Sequence, residues 1–159
     1  GAAHLQEQLD SIRAQTLPPF ELQVGDDGST DATLDILQRF KQRAPFPVHV
    51  VVNEKQRGFA DNFLSTAARC SGDWIVFCDQ DDVWRPDKVS RALRLLAGLE
   101  ARHGAATPLL VHADLEVVDD GLRTVHPSLL RTLGHGHEAD RPLRYLLAQN
   151  FVTGCACAH

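Results

Sequence analysis

The run Trp74-Ile75-Val76-Phe77-Cys78-Asp79-Gln80-Asp81-Asp82 decides the architecture. An unbroken apolar stretch of this length reads as a buried strand, and the residues that follow deliver three carboxylates to its end. α/β proteins build their sites at strand ends of this kind. Aspartates packed so closely repel one another and gain nothing from burial, so a divalent cation that neutralises them accounts for their placement. The reading is a metal and diphosphate site. A plainer account of the same residues is an acidic turn leading to the positive N-terminus of the next helix.

Outward from this strand the same plan repeats. A helix from about Phe59 to Arg69 and a Ser71-Gly72-Asp73 turn precede it, and a helix striped with Val89, Leu93 and Leu96 should begin near Pro86. Further toward the N-terminus, Leu5, Leu9 and Ile12 predict an amphipathic helix over 4–15, stopped by Pro18-Pro19. Phe20 to Val24 then reads as a strand. Gly25-Asp26-Asp27-Gly28-Ser29-Thr30 is a turn, with Ser29 or Thr30 capping a helix through Phe40. Pro45 to Val52 is another strand. Leu109 to Val118 mixes a strand with its exit, 119–140 reads as loop, and Arg141 to Ala148 reads as a short helix before the apolar segment at 151–159. Strands alternating with helices imply an α/β sandwich with a largely parallel sheet.

The chain of 159 residues fits one domain, or a large piece of one, and its formal charge of −5 argues against a general affinity for nucleic acid. No stretch reaches the roughly 20 apolar residues that span a bilayer. The absence of methionine, the start directly into a helical pattern at Gly1-Ala2-Ala3-His4 and the stop inside an apolar segment predict an excised fragment. The four cysteines do not form a framework: Cys155-Ala156-Cys157 is too close for C-x2-C, and its alternation reads as one face of a strand. Cys155, Cys157 and His159 could also be read as a soft-metal ligand set. A reducing cytoplasm is the economical location.

Val24-Gly25-Asp26-Asp27-Gly28-Ser29-Thr30-Asp31, then Asn53 with Gly58 and Asn62, then Phe77-Cys78-Asp79-Gln80-Asp81-Asp82-Val83-Trp84 with Pro86 and Lys88, resembles family 2 glycosyltransferases of the GT-A fold. D-Q-D-D-V-W and Val111-His112-Ala113-Asp114 are most similar to bacterial rhamnosyltransferase-like enzymes of cell-surface polysaccharide assembly. The resemblance implies a Rossmann-like sandwich over 1–159 that forms the donor-binding part of a GT-A domain. It also implies an apolar first strand that this chain lacks.

The resemblance implies a role for each motif. Asp27 accepts a hydrogen bond from a nucleobase imide, with Asp26 beside it; a solvated turn with a cap is the bland alternative. Arg57 and Gly58 contact the donor nucleotide, the guanidinium stacking on a base or pairing with an anionic oxygen, unless Arg57 is simply an exposed arginine. Asp79 reaches the ribose or a metal-bound water. Asp79 and Asp81 hold Mg²⁺ or Mn²⁺ between the two phosphates, and Asp82 orients these groups from behind. Asp114 lines the acceptor side or caps a turn. Trp84 packs against the sheet edge, and His135-Gly136-His137 reads as loop.

The implied activity is transfer of a sugar from a UDP- or dTDP-sugar to a saccharide or lipid-linked acceptor, with inversion and with a metal. The general base is expected beyond residue 159, so the fragment alone should turn over poorly. The whole enzyme would be cytoplasmic, at the inner face of the membrane. A noncatalytic nucleotide-binding or interaction module on the same fold is the rival reading. A phosphoacceptor receiver domain would need a lysine after its last strand, and the chain ends in Ala158-His159.

Overall fold

The computed structural model describes residues 1–135 and 152–159. Helix α1 (Ala2–Arg13) buries Leu5, Leu9 and Ile12, the face that their spacing puts together. Strand β1 (Leu22–Asp26), helix α2 (Thr33–Lys41) and strand β2 (Val48–Val52) form a parallel βαβ unit, with Leu22 opposite Val48 and Asp26 opposite Val52. Ile36, Leu37 and Phe40 of α2 meet the α1 face, Phe46 and Val48 in the main core. Helix α3 (Phe59–Ala67) follows from Gly58, whose φ of 80° suits glycine.

After the extended segment 74–78 come α4 (Lys88–His103), β3 (Val111–His112), β4 (Val117–Val118), β5 (Thr124–His126) and α5 (Leu129–Thr132). A 3₁₀ turn at Gly154–Ala156 leads into β6 (Cys157–Ala158). β6 runs antiparallel to β3 on one side and to segment 74–78 on the other. On that second side Ile75 and His159 exchange both main-chain bonds, at 2.7 and 3.0 Å, and Phe77 N donates to Cys157 O at 3.2 Å. The predicted strand 74–78 is therefore extended and paired along one edge. Its other edge looks across a groove toward β1.

Long-range side-chain bonds fasten α1 to the start of α4. Ser11 Oγ accepts Trp84 N at 2.9 Å, Gln15 Nε2 donates to Arg85 O at 2.8 Å, and Gln15 Oε1 accepts Val89 N at 3.0 Å. Gln15 thus supplies the N-terminal cap that α4 lacks locally. Trp84 is buried in the main core, in keeping with its expected packing role.

Several sequence expectations give way to local chemistry. Neither Ser29 nor Thr30 caps α2; Asp31 Oδ1 accepts Thr33 N at 3.0 Å, while its Oδ2 accepts Gly1 N and Ala2 N at the start of α1. One carboxylate serves two helix starts, which a hydroxyl with a single site could not do. The region 119–140, read as loop, contains β5, which pairs with β4 around Asp119, and α5, capped by Ser128 Oγ on Arg131 N. Cys155 lies in the 3₁₀ turn rather than on an alternating strand face, and Cys155 and Cys157 are both buried. The helix predicted at 141–148 lies outside the described residues, as do Gly136 and His137.

Candidate functional site

Strand β1 ends in two aspartates that point their hydrogen bonds in different directions. Asp26 is buried and folds the turn after it, its Oδ1 accepting Gly28 N at 3.1 Å and Ser29 N at 3.0 Å. Asp27 reaches across to the loop beyond β2. Its Oδ1 accepts Asn53 Nδ2 at 2.9 Å and Arg57 N at 2.8 Å, and its Oδ2 accepts Gly58 N at 2.9 Å. The Arg57 main-chain donor foremost, with Asn53 next, holds the Asp27 carboxyl below the usual carboxylate range. The Arg57 side chain is exposed.

Buried Asn53 continues this network, donating to Asn62 Oδ1 at 2.9 Å, and Asn62 Nδ2 donates to Gly25 O at 2.9 Å. A Cβ on Gly25 would stand 2.2 Å from Thr66 Oγ1 and 2.5 Å from Asn62 Oδ1, so only glycine lets α3 lie this close to β1. Three strand and helix ends are thereby locked into one cradle of donors and acceptors.

The second acidic turn follows segment 74–78. Carboxylate oxygens of Asp79 and Asp82 and the Sγ of Cys155 all lie within 4.8 Å of one another. Burial first, and the Asp82 charge second, push the Asp79 carboxyl above its usual range. Burial likewise raises the Cys155 thiol, with Asp82 and Asp79 adding to it. Asp82 Oδ2 is buried without a hydrogen-bond partner. Two like charges and an orphaned carboxylate oxygen form a donor set that a divalent cation would complete. Lys88 stands beside them, its Nζ donating to Cys155 O at 3.1 Å and lying 4.5 Å from the centre of the Trp84 ring.

The expected ligand pair was Asp79 with Asp81, whereas Asp82 is the carboxylate that stands with Asp79, and Asp81 is exposed on the same turn. Asp81 adjoins the cluster closely enough for its charge to help raise the Asp79 carboxyl. Cys155 is a member that sequence reading missed. It arrives because β6 returns beside segment 74–78, a pairing with no local sequence signal. Asp114 Oδ1 accepts Leu115 N at 2.9 Å and Leu130 N at 3.1 Å, the capping role. The ligand set imagined at Cys155, Cys157 and His159 is not formed, since the His159 ring stacks on Phe77 with centroids 5.5 Å apart. The segment after β1 and the turn at Gln80 both reach the amino end of α1: Gly1 N is 2.9 Å from Asp31 Oδ2, and a Cβ on Gly1 would lie 3.6 Å from Gln80 Cγ.

Comparison with known proteins gives the chain a family. The profile of glycosyl transferase family 2 matches residues 2–154. TuaG of Bacillus subtilis, named as a glycosyltransferase of teichuronic acid biosynthesis, is 29% identical over 132 residues, covering 76% of this chain and 52% of TuaG. The dTDP-rhamnosyl transferase RfbG of Shigella flexneri is 33% identical over 100 residues, or 60% of this chain and 35% of RfbG. A mannosyltransferase of Pyrobaculum calidifontis, solved with GDP-Man and Mn²⁺, superposes with a TM-score of 0.56 at 28% identity, over 61% of this chain and 29% of that one. The chain thus spans about half or less of the length of these relatives. The fold is the expected GT-A α/β fold, and the chain belongs to glycosyl transferase family 2.

Proposed function

We propose that residues 1–159 carry the donor-binding part of a glycosyltransferase that moves a sugar from a nucleotide diphospho-sugar to a saccharide or lipid-linked acceptor in cell-surface polysaccharide assembly. The observation that carries the reading is the crowding of Asp79 and Asp82 with Cys155 after segment 74–78, in a family 2 chain whose Asp27 is bonded to the loop that starts α3. Asp27 Oδ1 already accepts two donors and Oδ2 one, which leaves a lone pair on Oδ2 for a nucleobase N–H. Asp26 shapes the turn, Gly58 keeps the approach open, and exposed Arg57 stacks on the base or pairs with the diphosphate.

Asp79 would reach the ribose, and Asp79 with Asp81, the pair the family resemblance implies, would hold Mg²⁺ or Mn²⁺, with Asp82, which stands beside Asp79, completing the donor set. When bound, such an ion stabilises negative charge on the departing nucleoside diphosphate. The acceptor hydroxyl displaces that group in one inverting step, the main-chain scaffold having fixed the donor's orientation. UDP and dTDP are the favoured nucleotides, and the name of RfbG supports dTDP. A rhamnosyl donor and a cytoplasmic site at the inner membrane face complete the reading. Among the described residues no helix is long and apolar enough to cross a membrane.

A thermal-shift panel of UDP, dTDP and GDP, each with and without Mn²⁺, tests it. The reading expects UDP or dTDP to raise the unfolding midpoint only when Mn²⁺ is present. A folded protein indifferent to all three nucleotides would contradict it.

A further inference from the structure

Cys155 is the member of the acidic cluster whose chemistry differs from that of its neighbours. Its thiol is free and the residue is 5% exposed, yet its Sγ lies within 4.8 Å of carboxylate oxygens of both Asp79 and Asp82. The other three thiols are directed at main-chain carbonyls: Cys70 Sγ donates to Thr66 O at 3.9 Å, Cys78 Sγ to Asp79 O at 3.4 Å and Cys157 Sγ to Thr153 O at 3.2 Å. Among the described residues, Cys155 is the one cysteine grouped with two carboxylates in ligating reach.

The backbone holds the three groups in place. Asp82 N donates to Asp79 O at 3.4 Å, which closes the turn that carries both carboxylates. Around the thiol, Lys88 Nζ donates to Cys155 O at 3.1 Å, Ala113 N to Ala156 O at 3.0 Å and Phe77 N to Cys157 O at 3.2 Å. The short stretch 155–157 is thus tied to α4, to the end of β3 and to the segment that leads into Asp79. Ligand atoms carried on fixed backbone need little rearrangement to bind.

A separate observation points to a cation. Asp82 Oδ2 is buried and has no hydrogen-bond partner, a costly state that a positive ion beside it would relieve. One ion with metal–oxygen bonds of about 2.1 Å and a metal–sulfur bond of about 2.3 Å sets its ligand atoms about 3.4–3.6 Å apart, so small side-chain rotations close the set around it.

We propose that Cys155 is a metal ligand: its Sγ, as thiolate, binds the same divalent ion as Asp79 and Asp82 and makes this a site for thiophilic cations. Co²⁺, Zn²⁺ and Cd²⁺ are held more tightly than Mn²⁺, and Mn²⁺ more tightly than Mg²⁺. The inference rests on the metal reading of the acidic turn given above and adds the ligand on its buried side. Carboxylates alone are hard ligands that suit Mg²⁺, whereas thiolate sulfur selects softer ions. On binding, the sulfur–metal bond replaces the S–H bond, the proton leaves to solvent and no electron is transferred. A six-coordinate ion keeps positions open for water or for diphosphate oxygens.

The test is titration of the folded chain with Co²⁺ alone, followed by near-ultraviolet absorption. A saturable thiolate-to-cobalt charge-transfer band is expected, erased by Zn²⁺ and unmoved by excess Mg²⁺. Cys155→Ser should lose the band and bind Co²⁺ at least about tenfold more weakly, since even an outer partner of a metal site is worth that much. Cys78→Ser and Cys157→Ser should keep the band. A band that survives in Cys155→Ser would overturn the proposal.

A measurement on the unaltered protein covers a variant that fails to fold: loaded with NMR-active cadmium, it should show scalar coupling between the metal and the β-protons of Cys155. Mn²⁺ binding, read by electron paramagnetic resonance, separates this inference from the reading it rests on. Mn²⁺ binding that Asp79→Asn weakens, with neither a cobalt charge-transfer band nor cadmium coupling to Cys155, would overturn the thiolate ligand and leave the acidic turn as a metal site. A folded protein that binds none of these ions would overturn both.

Discussion

Asp27 Oδ2 accepts the main-chain N–H of Gly58 at 2.9 Å, joining the end of β1 to the start of α3. The same carboxylate holds Arg57 N and Asn53 through Oδ1. Asp27→Ala should therefore do two things at once: speed amide exchange at Arg57 and Gly58, and weaken nucleotide binding by about tenfold or more, as loss of a charged hydrogen-bond acceptor does. Asp27→Asn keeps a single acceptor oxygen and should fall between the two. Exchange rates unchanged in Asp27→Ala would show that the loop is held by something else.

Acid should loosen the fold through three particular carboxylates. Asp27, Asp31 and Glu21 all titrate below their usual ranges, led respectively by the Arg57 N–H, the Thr33 hydrogen bond and the Ser71 N–H. Their unfolded values are higher than their folded ones, so their contribution is full above the ordinary carboxylate range and is lost as pH falls through the folded values. Asp79 runs the other way, because its folded value is raised, by burial first and by the Asp82 charge second, and acid relieves both. Thermal midpoints between pH 7 and pH 2.5 check the balance, and Asp31→Asn should flatten the acid limb. A midpoint that falls as steeply in the variant would remove Asp31 from the account.

Gly25→Ala should cost about 1–3 kcal/mol, because its Cβ would collide with Thr66 Oγ1 and the amide of Asn62. Thr66→Ala in the same chain should recover part of that loss, since it removes the nearer obstacle. Urea denaturation of both single variants and the double variant measures the coupling. Strict additivity would mean that α3 moves away freely.

Leu9 is 1% exposed at the centre of the α1 face. Leu9→Ala should destabilise the fold by about 2–5 kcal/mol, the range for emptying a packed leucine site, with no direct effect on the acidic turns. A loss below half a kcal/mol, on the scale of an exposed site, would place α1 outside the cooperative core.

The fold was legible wherever periodicity met a buried face. Leu5, Leu9 and Ile12, then Ile36, Leu37 and Phe40, announce helices that bury those residues. Short elements escaped: β4 and β5 are two and three residues long, too short for an alternation to register, and their turn depends on Asp119 accepting main-chain donors. The crowding of the motif aspartates at a strand end was legible directly. Which side chains lie together was not, because Asp82 stands beside Asp79 while Asp81 is exposed, and Cys155 arrives on a 3₁₀ turn distant in sequence. Capping by Asp31 and Gln15 was equally hidden, each side chain reaching an element fixed only by tertiary packing.

The most direct measurement is calorimetric titration of the folded chain with UDP and dTDP, with and without Mn²⁺, beside Asp79→Ala and Asp81→Ala. The account predicts binding that requires Mn²⁺, is weakened by at least about tenfold in either variant, and leaves the fold unchanged by circular dichroism. Nucleotide binding that is as tight without Mn²⁺, or unaltered in both variants, would contradict the assignment of the acidic turn to the donor's metal and diphosphate.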